Sequence, residues 1–213
     1  MVRRVGFTVF VVDDDELVLR ALSRLLRAAS YEAVCFQSPR ALLASYDHQT
    51  PSCLIVDLSM SEMSGLQLQQ ELRERGLCVP LIFLTGTGDI PSSVTAMKAG
   101  AIDFLVKPAD RDKLLAAIAR AEQQDEDIRR ENDDLAMINV RLSMLTPREK
   151  EVLVYVIGGL LNKQIAAILG TVEKTIKVHR GRMMSKLGVH SVADLVRLTA
   201  RAGIEPAESR YWP

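Results

Sequence analysis

An apolar segment that runs directly into three carboxylates is the feature that most restricts the fold of this chain. Residues 8–12 read Thr-Val-Phe-Val-Val, and Asp13, Asp14 and Asp15 follow them. A short apolar run predicts a buried strand, which would deliver the three acids to one end of a sheet. Like charges packed together are unfavourable unless a cation or protons relieve them. Because Mg²⁺ takes oxygen ligands, the pattern indicates either a Mg²⁺ and phosphoryl site or a solvated acidic turn.

Short apolar runs alternate with amphipathic segments through the first 121 residues. Strands are predicted at 8–12, 32–36, 53–57, 80–84 and 102–106, and helices at 16–29, 39–46, 64–75, 90–98 and 110–121. Strands that alternate with helices indicate an α/β domain with a five-stranded, doubly wound parallel sheet, which is a flavodoxin-like arrangement. Ligands of such sheets bind at the carboxyl ends of the strands.

Polar side chains stand at the carboxyl ends of four of these strands. They are Asp13 and Asp14 after the first strand, Asp57 at the end of the third, Thr85 after the fourth and Lys107 after the fifth. Each alone is compatible with an ordinary strand end or a solvated loop. Their joint placement predicts one site for a cation and a phosphoryl group.

A family resemblance is carried by the segments VVDDD, IVDLSM, TG and AIDFLVKP. Over residues 5–121 the chain resembles the receiver domain of bacterial two-component response regulators. The resemblance implies that Asp57 accepts a phosphoryl group from a sensor histidine kinase. It also implies Mg²⁺ as cofactor, held by Asp14, Asp57 and the backbone carbonyl of Ser59, with Asp13 assisting through water.

The resemblance further assigns residues that bind the phosphoryl group and respond to it. Thr85 and Lys107 would contact phosphoryl oxygens, and the ring of Phe104 would turn inward on activation. These movements would bias the surface formed by residues 93–121, as a shift in an existing equilibrium between conformations.

Two positions depart from the receiver pattern. The family usually has Asp-x-x-Met-Pro after the acceptor, and this chain has Ser61 in place of the proline. Because Ser61 lacks the fixed φ of proline, we expect a less rigid loop there. Lys107-Pro108 is followed by Ala109, where the family commonly has Phe, and the resemblance suggests a cis bond before Pro108.

Residues 122–144 are predicted to form a helical linker. Apolar residues recur every seven positions from Leu114 to Leu142, and no Pro or Gly occurs between Ala109 and Leu145. Gln124 and Glu131 interrupt the second seam of this heptad pattern. The pattern indicates one long helix, or a helix with a soft break near residues 123–127. This segment either self-associates and transmits state between domains or serves as a solvated spacer.

Residues 145–203 predict an all-α domain of four helices. Thr146, Pro147 and Glu149 are typical of a capping box at the start of the first helix. We expect a short helix capped by Asn162, a turn at Gly170, and a longer helix that ends near Leu187. Residues 146–213 carry 11 Lys+Arg against 6 Asp+Glu. This pattern indicates a helix-turn-helix that binds DNA.

A second resemblance is carried by the segments LTPREKEVL, NKQIAAILG and TIKVHRGRMMSKLGV. They resemble the LuxR-type DNA-binding domain, which implies that the third helix enters the major groove. The base-facing residues implied are Lys174, Lys177, Val178 and Arg182, and those expected at phosphates or in local packing are Lys163, Thr175, His179 and Arg180. Val172 replaces the usual Ser or Thr cap, so we expect Thr171 to supply it. Gly181 lies inside this helix, where relatives can have a basic residue.

The whole chain resembles the NarL/FixJ family of response regulators. The resemblance implies a cytoplasmic, non-enzymatic regulator that dimerises on phosphorylation, binds promoter DNA and contacts RNA polymerase, with activation favoured over repression. No apolar run reaches the ~20 residues that span a bilayer.

Two alternative functions remain open. One is a Mg²⁺-dependent phosphatase that uses Asp57 as nucleophile, which Ser59 disfavours because such enzymes commonly have an acid at that position. The other is a DNA binder that does not depend on phosphorylation. Residues 204–213 are expected to be disordered, with docking of Trp212 as the alternative.

Overall fold

A computed structural model of the chain describes residues 6–86 and 90–207, with the side chains of residues 90–92 left out. The described residues form two compact units that divide between Arg129 and Arg130. The predicted position of Trp212 lies outside the described residues.

The first unit contains the predicted parallel sheet. Its strands run in the order β2-β1-β3-β4-β5, and each neighbouring pair is parallel. The strands are β1 (Thr8–Val12), β2 (Glu32–Phe36), β3 (Ser52–Asp57), β4 (Leu81–Thr85) and β5 (Asp103–Val106). The helices between them are α1 (Glu16–Ala28), α2 (Pro39–Ser45), α3 (Gly65–Glu74) and α4 (Ile90–Lys98). The predicted α/β fold is therefore confirmed.

Two apolar cores lie on opposite faces of this sheet because successive side chains of a strand point to opposite faces. Val11 and Ile55 belong to the core that includes α1, whereas Val12 and Val56 belong to the core that includes α3. Burial on both faces explains why the strands read as continuous apolar runs rather than as alternating patterns.

The acidic triplet is divided between a site and a helix start. The side chain of Asp15 accepts a hydrogen bond of 2.8 Å from the backbone N–H of Leu17, and Asp15 is the N-cap of α1. A side-chain acceptor satisfies one of the N–H groups left unpaired at a helix start. Only Asp13 and Asp14 are therefore left for the predicted site.

The helix α5 (Arg111–Ser143) is continuous over 33 residues, which confirms the predicted long helix. Leu114 and Ala121 lie in the core of the first unit, and Ile138 is buried within the second. Gln124 and Glu131, which interrupt the heptad pattern, are exposed. Neither α5 nor another helix in the two described ranges is long and apolar enough to cross a membrane.

An arginine fixes the part of α5 that follows the predicted receiver boundary at residue 121. Arg129 donates to the buried carboxylate of Asp125 at 2.7 Å. Its guanidinium also donates to the backbone carbonyls of His48, Gln49 and Thr50, at 3.2, 2.9 and 2.7 Å. Residues 122–129, which the heptad pattern assigned to the linker, therefore pack with the first unit.

The second unit contains α6 (Pro147–Ile157), α7 (Asn162–Ile168), α8 (Glu173–Leu187) and α9 (Val192–Arg201). The predicted capping box of Thr146 and Glu149 is confirmed. The predicted cap at Asn162 is wrong, because α7 begins at Asn162 itself and Leu161 precedes it. The Asn162 side chain instead accepts a hydrogen bond from Arg180 of α8, at 3.2 Å.

The start of the C-terminal tail is attached to the second unit. Ile204 packs against the apolar core, and the N–H of Ala207 donates to the carbonyl of Val154 at 3.1 Å. The expectation of disorder is therefore wrong for residues 204–207, because an apolar side chain and a backbone hydrogen bond hold them. Residues 208–213 lie outside the described part of the chain.

Candidate functional sites

Two carboxylates are buried at the carboxyl edge of the sheet. Asp13 follows β1 and is 1% exposed, while Asp57 ends β3 and is 5% exposed. Oδ1 of Asp13 accepts from the N–H of Asp15 at 3.0 Å, and Oδ2 of Asp57 accepts from the N–H of Ser59 at 2.8 Å. The turn that follows each strand therefore fixes the carboxylate by a backbone hydrogen bond.

Lys107 lies between these two carboxylates. Its Nζ is 2.5 Å from Oδ2 of Asp13 and 2.6 Å from Oδ1 of Asp57. The backbone places it, because the N–H of Lys107 donates to the carbonyl of Thr85 at 2.7 Å. The cis bond suggested before Pro108 is present. One ammonium therefore contacts both buried acids and offsets part of their charge.

The surroundings of Lys107 and Asp13 shift the pKa values of both side chains. Burial disfavours the charge of Lys107, but hydrogen bonds from its ammonium to Asp13 and Asp57 outweigh that effect and raise its pKa. Burial also raises the pKa of Asp13, although Lys107 and the N–H of Asp15 favour its ionised form. Lys107 is therefore a cation at neutral pH.

Asp14 lies on the exposed side of the site. Its Oδ2 accepts a hydrogen bond of 3.0 Å from the backbone N–H of Ser61, in the loop after β3. Within the described ranges, no three His, Cys, Asp or Glu side chains form a ready-made metal cluster. The expected ligands Asp14, Asp57 and the Ser59 carbonyl would all offer oxygen, and Mg²⁺ usually needs only one or two carboxylates beside water.

Thr85 and Phe104 lie on neighbouring strands beside the acids. Thr85 ends β4 and is 1% exposed. Phe104 in β5 pairs in register with Phe83, and their ring centroids are 6.3 Å apart. The Phe104 ring is half-buried in this structure.

Gly65 is a residue of this site that the sequence analysis missed. A Cβ at this position would lie 2.5 Å from the backbone oxygen of Asp57 and 2.8 Å from the Phe83 ring. A side chain there would displace the end of β3. The available signal was a glycine at the second position of the helix predicted at 64–75, where glycine is not needed for helix formation.

The exposed face of α8 carries the side chains predicted to face DNA bases. Lys174, Lys177, Val178 and Arg182 are exposed, whereas Ile176, Met183 and Leu187 on the opposite face are buried. Lys163 is exposed on α7, and Thr175, His179 and Arg180 are half-buried. Neither Lys174 nor Lys177 has an acidic partner among the described residues, so this face is cationic.

The start of α8 differs from the expectation. Val172 is the N-cap residue and gives no side-chain hydrogen bond, so the expected Thr171 cap is wrong. Thr171 lies one position before the cap, and its backbone N–H donates to the carbonyl of Ala166 at 2.9 Å. Gly181 lies within the helix, as predicted, and is exposed.

Lys186 has a structural partner that the sequence analysis missed. Its Nζ is 2.6 Å from Oε2 of Glu149, which is 2% exposed, and 3.1 Å from the carbonyl of Met144. The hydrogen bond with Lys186, followed by that from the N–H of Thr146, lowers the pKa of Glu149. Lys186 therefore contributes to the fold of the second unit rather than to its free positive charge.

Comparisons with known proteins agree with this division into two sites. Residues 9–119 match the response regulator receiver domain family, and residues 143–199 match the luxR family of bacterial regulatory proteins. Nodulation protein W of Bradyrhizobium diazoefficiens is 42% identical over 196 residues, which are 92% of this chain and 86% of that protein. Transcriptional regulatory protein FixJ of Rhizobium meliloti is 37% identical over 94% of this chain and 98% of its own length.

A solved structure resembles the chain over nearly its whole length. The structure of response regulator StyR is 43% identical, with a TM-score of 0.76, and the match covers 92% of this chain and 100% of that one. A crystal structure of the FixJ N-terminal domain matches 55% of this chain with a TM-score of 0.52 and 38% identity.

Proposed function

This chain belongs to the NarL/FixJ family of two-component response regulators, and we propose that Asp57 is the residue of its receiver domain that accepts a phosphoryl group. Its two domains make it a transcriptional response regulator. The observation that most supports Asp57 is the Lys107 ammonium, 2.6 Å from its Oδ1. A fixed cation beside a carboxylate at the end of the central strand suits a group that gains phosphate charge.

Receiver domains of this family bind Mg²⁺, and we propose that Asp14, Asp57 and the backbone carbonyl of Ser59 would hold it in this chain. All three supply oxygen, and the exposure of Asp14 leaves that side open to water. When bound, Mg²⁺ neutralises charge that develops on the phosphoryl oxygens. Asp13 would assist through water while its Oδ2 holds Lys107.

The transfer step is a displacement at phosphorus. A carboxylate oxygen of Asp57 forms the new bond, while the bond from phosphorus to the nitrogen of a kinase histidine breaks and its electron pair returns to the imidazole. The product is an acyl phosphate. Lys107 would remain beside the equatorial oxygens, and the hydroxyl of Thr85 would donate to one of them.

The same residues connect phosphorylation to a conformational change. Thr85 and Phe104 lie on neighbouring strands, and the Phe104 ring is half-buried against Phe83. Movement of Thr85 toward the phosphoryl group would allow Phe104 to turn inward. The surface of residues 93–121 would then shift toward a form that favours dimerisation.

We propose that α8 is the helix that reads DNA. Lys174, Lys177, Val178 and Arg182 would face base edges, since Lys and Arg can bind guanine and Val can contact a thymine methyl. Thr175, His179, Arg180 and Lys163 would contact phosphates or pack locally. The hydrogen bond from Arg180 to Asn162 supports a packing role for that arginine.

The partners follow from these two sites. We propose that a sensor histidine kinase supplies the phosphoryl group and that a homodimer of the phosphorylated chain occupies two half-sites of a promoter. Contact with RNA polymerase and promoter activation are the further expectation. A regulator that must meet promoter DNA in a bacterium would act in the cytoplasm.

We propose regulation rather than enzymatic turnover. Phosphatases that use an aspartate nucleophile need an acid to protonate the leaving group. Ser59 occupies the position two residues after Asp57, and its backbone N–H holds Oδ2 of Asp57. A serine side chain at this position is not a general acid.

The experiment that tests the acceptor is intact mass measurement after incubation with acetyl phosphate and Mg²⁺. We expect one phosphoryl adduct on the wild type, none on Asp57→Asn and none when a chelator removes Mg²⁺. Asp112→Asn is the matched control, because the Asp112 side chain is 90% exposed and lies outside the site. An equal adduct on Asp57→Asn would contradict the assignment.

A further inference from the structure

The backbone of Ser61 contacts a carboxylate proposed to hold Mg²⁺. Its N–H donates to Oδ2 of Asp14 at 3.0 Å, across 47 residues of sequence. Oδ1 of Asp14 accepts no hydrogen bond from the described residues. Asp14 therefore has one oxygen held by the protein and one available to a ligand.

The loop that carries Ser61 is fixed by its neighbours. Leu58 and Met60 are each 8% exposed and pack into the core that includes α3. The N–H of Leu58 donates to the carbonyl of Leu84, and the N–H of Gly65 donates to the carbonyl of Leu58, both at 3.0 Å. These contacts hold the backbone in place, so the N–H of Ser61 has a defined direction.

The contact belongs to the backbone and not to the serine hydroxyl. The Ser61 side chain is exposed and makes no hydrogen bond within the described residues. Any residue with a backbone N–H could make the contact to Asp14. Proline could not make it, because proline has no N–H. The departure from the receiver pattern at Ser61 therefore adds a donor to the site.

We propose that the Ser61 N–H is a positioning group for Mg²⁺, which holds Oδ2 of Asp14 so that Oδ1 faces the metal. This inference rests on the proposed role of Asp14. An exposed carboxylate otherwise samples several rotamers, and a hydrogen bond to one oxygen removes part of that freedom before the metal arrives. Removal of a hydrogen-bond partner of a metal ligand typically lowers metal affinity by about 10–100-fold.

The test is calorimetric titration of the full chain with Mg²⁺, without a phosphodonor, for the wild type, Ser61→Pro and Ser61→Ala. We expect Ser61→Ala to bind Mg²⁺ as the wild type does, because its N–H is kept. Ser61→Pro should bind about tenfold more weakly, at the lower end of the range because Asp14 is exposed. Circular dichroism would establish that each variant is folded.

A backbone ester at residue 61 provides a second way to remove the donor. It replaces the N–H by oxygen without a proline ring, and it should weaken Mg²⁺ binding as Ser61→Pro does. It also gives the test if Ser61→Pro does not fold. If Ser61→Pro and the ester variant bind Mg²⁺ as tightly as Ser61→Ala and the wild type do, this inference is wrong. The proposed role of Asp14 would not be affected by that result. An unchanged affinity in Asp14→Ala would overturn both the inference and the proposed role of Asp14.

Discussion

The lysines of the two units lie in opposite electrostatic environments. In the first unit, Lys107 lies within 2.6 Å of two buried carboxylates and is itself largely enclosed. In the second unit, Lys174 and Lys177 project from α8 without an acidic partner among the described residues. The charge of a paired lysine is offset by acids of the protein itself, whereas an unpaired, exposed lysine attracts polyanions from outside. The difference fits the two proposed roles, which are phosphoryl transfer at Asp57 and DNA binding by α8.

The largest expected effect is that of Lys107→Ala. Removing one partner of a buried ion pair leaves uncompensated charge, and such changes cost about 3–5 kcal/mol in the free energy of unfolding. We expect about 3 kcal/mol, because the Lys107 side chain is 21% exposed and partly screened. Lys174→Ala, on the exposed helix face, should change it by less than about 0.5 kcal/mol. Urea unfolding followed by hydrogen exchange measures both variants, in β1 and β3 for Lys107→Ala and in α8 for Lys174→Ala.

The loss in Lys107→Ala should depend on pH. Without the ammonium, Asp13 keeps the burial that raises its pKa above the ordinary value of 3.8 and loses the Lys107 contact that favours its ionised form. A carboxyl with a raised pKa in the folded state destabilises that state as pH rises through the raised value. The deficit relative to wild type should therefore be smallest below about pH 4 and grow above it. A deficit that is constant from acid to neutral pH would contradict this account.

The next largest expected effects are changes in operator affinity and in stability, which distinguish two lysines of α8. Lys177→Ala should weaken binding to a selected operator by about 1–3 kcal/mol if Lys177 reads a base edge. Lys186→Ala should instead lower the stability of the second unit, because Lys186 holds the buried Glu149 at 2.6 Å, and should leave the affinity of the folded protein unchanged. Fluorescence anisotropy at fixed salt, with operator and random duplexes, measures both affinities.

The affinity for the random duplex distinguishes a base contact of Lys177 from a phosphate contact. If Lys177→Ala weakens both duplexes equally, Lys177 contacts a phosphate, because phosphate contacts carry no sequence information. If Lys186→Ala weakens operator binding as strongly as Lys177→Ala while the protein stays folded, the division between structural and free lysines on α8 is wrong.

Local patterns predicted the parts of each site that follow from strand ends and helix periodicity. Asp57 and Lys107 each stand beside a short apolar strand, and parallel strands bring such residues to one edge. Lys174 and Lys177 were assigned to the exposed face of α8 through the resemblance to the LuxR-type domain, and both are exposed in the structure.

Contacts between a side chain and a distant backbone group could not be predicted in this way. The guanidinium of Arg129 binds carbonyls about 80 residues earlier, and the carboxylate of Asp14 accepts from an N–H 47 residues later. Carbonyl and N–H groups occur at almost every residue, so the sequence carries no pattern for such pairs. The contact of Lys186 with Glu149 was not predicted either, and Lys186 was only one of the 11 Lys+Arg in the charge balance of residues 146–213. Its distance from Glu149 depends on how α6 and α8 pack.

The smallest effect concerns Gly181, which lies among the exposed cations of α8. It has no atom within 4 Å of an added Cβ, and its backbone is not in the left-handed region. Gly181→Ala should therefore stabilise the second unit by about 1 kcal/mol, because alanine restricts the unfolded chain and favours the helix. Calorimetry of the full chain measures this, with the relevant transition identified by its shift when DNA is added.

Glycine-to-alanine substitutions should have opposite effects on the stability of the two units. Gly65 of the first unit has no room for a Cβ, because the backbone oxygen of Asp57 lies 2.5 Å away. Gly65→Ala should therefore displace the end of β3 and destabilise the first unit, whereas the same change at Gly181 stabilises the second. A loss of stability at Gly181 would show that α8 depends on contacts that its exposed face does not reveal. Unchanged stability with weaker operator binding would instead indicate that DNA approaches the helix backbone closely at this position.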